Sequence, residues 1–173
     1  MNKVMLKNNL TLFFQTLPQE NTDLDLNYIE NFSNLFFRFI SEVPGEGLIY
    51  PEINTLSVAS LNEPIKKIFQ QNLSGIATTL LTSQEYSSKI GSALDAIISL
   101  LPQVFILSQG EIPRIATFNL TTDIIQLLDP VFTNPLSTSF DLSSAIVEGF
   151  IIKLNASTIF NSNSGTTINW ITN

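Results

Sequence analysis

Residues 86–101 read YSSKIGSALDAIISLL, and Pro102 follows at once. Ile90, Leu94, Ile97, Ile98 and Leu101 recur at steps of three and four. That spacing is one face of an α-helix, not the alternation of a strand. Proline cannot continue the helical ladder, so Pro102 stops the element. The same element is written twice more. Tyr28, 58 residues before Tyr86, opens YIENFSNLFFRFISEV with Pro44 behind it, and Leu142 opens LSSAIVEGFIIKLNAS. Phe32, Leu35, Phe36, Phe39, Ile40 and Val43 give the first copy its stripe, and Ile146, Phe150 and Leu154 give the third. The second and third share a serine pair, Ser87-Ser88 and Ser143-Ser144. Ser83 or Thr82 is expected to cap the second copy, and Asp141 or Ser139 the third.

A second pattern follows the first two copies. EINTLSVASLNEPIKKIF (52–69) aligns with EIPRIATFNLTTDIIQLL (111–128), so that Ile53, Leu56, Leu61, Ile65 and Ile68 fall on Ile112, Ile115, Leu120, Ile124 and Leu127. With the helix of the opening stretch called A, this element is B. Pro113 suits a first helical turn, and Asn62 is expected to cap a new helix with Pro64 in its first turn, which bends or splits B near 61–63. Its apolar spacing continues through Leu73, Ile76 and Leu80. Leu6, Leu10, Phe13, Phe14 and Leu17 read as the end of another B, giving the order half-B, A, B, A, B, A, which is out of register with the repeat. From residue 158 the chain is rich in Asn, Ser and Thr, the composition of a linker or weak strand.

The fold expectation is therefore an all-α, orthogonal or up-down bundle of five to seven amphipathic helices built on a repeat of about 58 residues. The single domain spans 1–157, as a half-repeat (1–20), repeats at 21–82 and 83–138 and a partial repeat (139–157), followed by a tail at 158–173. More than half the residues should be helical, with essentially no strand before residue 155. Phe36, Phe39, Ile40, Ile65, Leu94, Ile97, Ile98, Ile124 and Phe150 should form the core.

The composition excludes much of chemistry. The 173 residues contain no Cys and no His, so disulfides, zinc-thiolate sites, Cys nucleophiles and Ser–His–Asp triads are ruled out. A net charge of −7 argues against holding nucleic acid by its phosphates. No apolar run reaches the roughly 20 residues of a membrane span. MNKVMLKNNLTLFF lacks the apolar region and cleavage site of a signal peptide, which for a secreted protein suggests an internal module of a longer chain.

Several residues invite a functional reading. Glu52 and Glu111 recur between the B elements, but a first-turn acid already complements the helix dipole, and no partner acid, base or metal cluster accompanies them. Asp23, Asp25 and Glu30 make an acidic entrance to the first A helix without the alternating ligands and glycine of a calcium loop. FSNLFFRF (32–39) could line a lipid pocket or enter a membrane surface, yet Arg38 stands against Glu30 and Glu42 where a basic face would be needed, so core packing is the better reading. Asn9, Asn31, Asn72, Asn119 and Asn155 each begin an Asn-X-Ser/Thr triplet, a glycan acceptor only in a secreted chain. No catalytic residue, metal ligand or cofactor is expected.

YSSKIGSALDAIISLLPQVFILSQGEIPRIATFNLTTDIIQLL (86–128) resembles the repetitive domains of spider silk proteins of the aciniform and tubuliform types. The resemblance spans roughly residues 28–154. It rests on an amphipathic helix opening with an aromatic and serines, and a Leu107-Ser108 to Ile112 step into a second helix, with Leu48 and Ile53 as the looser earlier version. It implies a secreted, extracellular, non-catalytic module, stored as a soluble helical bundle and assembling with neighbouring repeats or like chains into β-rich fibres. The competing expectations are a helical lipid or small-ligand carrier, which needs an internal cavity, and a microbial or viral structural protein of helical repeats.

Overall fold

The computed structural model describes residues 2–17, 23–41, 48–49, 54–55, 58–101, 105–106, 114–115, 120–156, 158–160, 167–169 and 171–172. Among them lie six α-helices: α1 (Lys3–Thr16), α2 (Leu24–Ser41), α3 (Asn62–Leu73), α4 (Ser83–Leu100), α5 (Leu120–Thr133) and α6 (Ser139–Ala156). They hold more than half of the chain, and the fold is an all-α bundle. Each helix packs on the next in sequence, and α6 packs back on α1. The bundle is thereby closed on itself. Although α1 is joined in sequence to α2, it packs more extensively on α6.

The periodicity puts one face of each helix into a common core. Every core position expected from the sequence is at most 2% exposed. The aromatic side chains of α2 form its axis: Phe36 meets Phe69 of α3 at 5.8 Å and Phe150 of α6 at 5.2 Å, the latter edge to face at 85°. Such contacts add to the burial of the rings themselves. The FSNLFFRF run is accordingly core, with Phe32, Phe36 and Phe39 fully buried.

Local chemistry sets the helix ends. Thr82 caps α4 in a reciprocal box: its hydroxyl accepts from the Glu85 N–H, and Glu85 Oε2 accepts from the Thr82 N–H at 2.8 Å. The third A helix uses the same device one residue earlier than expected. Thr138, not Ser139 or Asp141, provides the capping hydroxyl, and Asp141 Oδ2 accepts from the Thr138 N–H at 2.7 Å. α2 and α4 end at Ser41 and Leu100, before Pro44 and Pro102.

The B elements depart from expectation. Among the described residues, α-helix begins at Asn62 and at Leu120, with one 3₁₀ turn (Val58–Leu61) before the former, and inside the helices expected at 52–69 and 111–128 lie β2 (Asn54–Thr55) and β4 (Arg114–Ile115). Together with β1 (Leu48–Ile49) and β3 (Phe105–Ile106), these place strand before residue 155. Pro51, Pro102 and Pro113 lack the N–H that a continuing helix would need near these strands, and the β-branched Thr55, Ile106 and Ile115 suit extended pairing. Asn62 lies inside α3 instead of capping it; Leu61 is the cap residue and makes no side-chain capping bond. Nor does α3 continue to Leu80. Gly75 at φ +79° ends the run, Ile76 still reaches the core, and Leu80 is wholly exposed.

The residues after α6 contribute β5 (Thr158–Phe160), β6 (Thr167–Asn169) and β7 (Ile171–Thr172). All pairings are antiparallel: β1 with β7, β2 with β3, and β4–β5–β6 as one sheet.

Candidate functional site

The carboxylates singled out in the sequence go to different tasks. Asp25, in the first turn of α2, reaches across to the turn after α3. Its two oxygens accept from the Gly75 N–H at 2.6 Å, the Ala77 N–H at 2.8 Å and the Thr78 hydroxyl at 3.0 Å. It is a clamp between α2 and the α3–α4 connection, 50 or more residues apart in sequence. Glu30 pairs with Lys66 of α3 at 3.1 Å, both side chains more than a third exposed, a geometry worth little in water. Asp23 lies at the start of α2, where its carbonyl accepts from the Asn27 N–H. Glu42, Glu52, Glu111 and Asn119 lie outside the described residues. Among the described residues no three acidic, His or Cys side chains are grouped to hold a metal ion, and no helix is long and apolar enough to cross a membrane.

Burial perturbs a second set of groups. The hydroxyls of Tyr28 and Tyr86, which open the first two A patterns, meet at 2.5 Å. Desolvation pushes the Tyr86 phenol up to about 12 and the Tyr28 phenol well above its ordinary value, with Tyr86 adding to the latter shift. Burial also raises the Asp95 carboxyl, against the opposing pull of Lys153, which is itself buried on α6. Glu85 and Asp141 move down because the N–H and hydroxyl of Thr82 and Thr138 donate to them.

Two surface clefts flank α1, and a third lies along α3 beside Glu63, Lys66, Lys67 and Gln70. A cleft of about 400 Å³ lies between α1 and α6, lined by Lys3, Val4 and Lys7 on one side and Val147, Glu148, Ile151 and Ile152 on the other. A second, of about 530 Å³, lies between α1 and α2 and carries Asn9, Asn27, Asn31, Asn34 and Arg38 beside Leu12, Phe13 and Leu35. Both are open grooves, not enclosed chambers. Val4, Met5 and Leu12 of α1 and Phe140 and Ile152 of α6 are exposed apolar side chains, and Lys7 Nζ sits 4.7 Å from the Phe140 ring centroid. Of the Asn-X-Ser/Thr asparagines, Asn31 and Asn72 each donate to the carbonyl four residues back in their helices, Asn9 lines the amide-rich groove, and Asn155 is exposed near the end of α6.

Sequence reading gives the Tyr residues as helix openers but not as partners, and it gives Asp25 as part of an acidic helix entrance, not a clamp. Neither pairing has a local signal, since each joins residues 50 or more apart. Compared with known protein families, curated proteins and solved structures, the chain matches none of them.

Proposed function

We propose that the chain is a non-catalytic structural module of a secreted, extracellular fibrous protein of the silk type, held as a soluble helical bundle and assembling with neighbouring repeats or like chains. It is built on an A–B unit of about 58 residues, present as two repeats (21–82 and 83–138) between a half-repeat (1–20) and a partial repeat (139–157). Several observations support the repeat. α2, α4 and α6 are each 18 residues long. Ser87 and Ser143 hydroxyls both donate to the carbonyl four residues back at 2.7 Å. Phe36, Leu94 and Phe150 occupy matching buried positions, as do the pairs Leu6/Leu10, Ile65/Phe69 and Ile124/Leu128 of the B helices. The connections follow the same order, since β2 pairs with β3, β4 with β5, and β7 with β1.

The observation that carries the functional reading is this set of short antiparallel pairs beside a core whose large apolar residues are otherwise sealed in helices. Strand edges already formed at the connections are templates for pairing with another chain, while the helices withhold the apolar residues from it. The test is to take a concentrated solution through shear, drying and mild heating. Circular dichroism should pass from helical to β-rich as fibres or gels form. A chain that stayed helical and monomeric under all three, and co-purified with a stoichiometric lipid, would defeat this reading in favour of the carrier.

A further inference from the structure

The helix that completes the third A–B pair is the first helix of the chain. α2 packs with α3 and α4 with α5, each pair joined by its own connection, but α6 packs with α1 from the other side of the sequence. α1 is also less firmly seated than α4: its buried residues are only Leu6 and Leu10, whereas α4 buries seven. Open clefts run along both its flanks, and Val4, Met5 and Leu12 face solvent.

We propose that the α1 seat on α6 is an exchangeable docking site whose occupant in an assembly is the α1 helix of a second copy of this chain. The proposal rests on the self-assembly reading above and names the surface it uses. The interface that α1 makes within one chain is the interface it makes between two, so an exchanged α1 loses no contact; exchange of an identical element is a low-cost route to association. Leu6 and Leu10 enter the core beside α6 in either arrangement. The mixed charges of the cleft, Lys3 and Lys7 on α1 and Glu148 on α6, are likewise kept. What decides between the arrangements is the connection from Leu17 to Asp23, PQENT. Helix–helix connections of about 2–8 residues allow adjacent packing, and shortening one below that range drives the element to another copy.

The experiment deletes residues 17–23 from the otherwise whole chain, which joins Thr16 directly to Leu24 and leaves no connection between the helices. Because the chain has no cysteine, Val4→Cys and Ile152→Cys, both on exposed side chains lining the α1–α6 cleft, give a specific pair for a short bis-maleimide. The full-length double variant should cross-link 4 to 152 within one chain. The deleted chain should show twice the monomer mass by light scattering, and a mixture of deleted single variants should cross-link 4 to 152 between chains, well above the 4-to-4 product. A deleted chain that stays monomeric, or that associates without the 4-to-152 product, overturns the proposal. Fibre formation by the unaltered chain is read separately: a swapped dimer from a chain that never forms fibres would sink the silk reading and leave the exchange standing.

Discussion

α4 and α1 occupy comparable places in the closed bundle, yet they are held very differently. α4 begins in a reciprocal cap, is packed between the helices that precede and follow it, and also touches α6. α1 has a simpler cap, the Asn2 side chain accepting from the Met5 N–H at 2.9 Å, and takes its main support from a helix more than 120 residues away. Local cooperativity follows: α4 should open only with the whole fold, and α1 below that limit. In hydrogen exchange followed by mass spectrometry, α1 amides should therefore exchange ahead of those of α4. Equal protection would remove the distinction.

Core truncation should break the well-held side hardest. Phe36 touches α3 and α6 through its ring, so Phe36→Ala should cost about 3–5 kcal/mol of global stability by opening a cavity. Chemical denaturation is the measurement, and the threshold for conversion to β-rich material should fall with it. Leu10→Ala removes a buried residue too, but its effect should be concentrated in α1, with α4 exchange little changed. The clamp comes next. Asp25→Ala leaves the Gly75 and Ala77 N–H groups without their acceptor, a loss of about 1–3 kcal/mol. A midpoint unchanged in denaturant would mean that the α3–α4 turn is held by its own packing.

The tyrosine pair adds a pH axis to the same contrast, since Tyr28 and Tyr86 tie α2 to α4 and α1 has no equivalent hydroxyl. Their folded values lie above the ordinary phenol value of 10, so the neutral forms are favoured by folding. That contribution is complete below pH 10 and is lost as pH rises through about 12 for Tyr86. Alkaline unfolding should accordingly begin above pH 10, and the double Tyr28→Phe, Tyr86→Phe variant should lose this pH dependence. Persistence of the same alkaline midpoint in the variant would assign it elsewhere.

The helices were legible because burial writes a period of 3.6 into the A elements, and a stripe such as Ile90, Leu94, Ile97 and Ile98 has one structural meaning. The B elements were half legible. Their apolar spacing survives across Pro51, Pro64 and Pro113, but Asn54–Thr55 and Arg114–Ile115 inside them pair as strand. Strand pairing such as Leu48 with Thr172 depends on closure of the whole bundle and leaves no local trace. The α1–α6 seat was hidden for the same reason: Leu6 and Leu10 announce a helix and its buried face, but nothing near them in sequence names the helix that covers it.

The smallest effects should come from the caps, and they sharpen the comparison because the same chemistry is removed from a well-held and a loosely held helix. Thr82→Ala takes away the acceptor for the Glu85 N–H, and losing an N-cap costs about 1 kcal/mol. Since α4 opens only with the fold, that loss should be visible in full in global denaturation. Asn2→Ala removes an equivalent acceptor from the Met5 N–H, but α1 can fray without unfolding the rest. Its effect should therefore fall mainly on exchange rates of the first turn of α1, with a smaller shift in the global midpoint than Thr82→Ala produces. Acid should discriminate in the same sense. Glu85 and Asp141 are held below their ordinary values of 4.5 and 3.8 by the donors of their caps, so their contribution is present at neutral pH and disappears as pH falls through those lowered values. α1 carries no such carboxylate at its cap, and its exchange should be insensitive to that titration. If instead α1 and α4 lost protection together at low pH, the bundle would open as one cooperative unit, and α1 would be no easier to exchange between chains than any other helix.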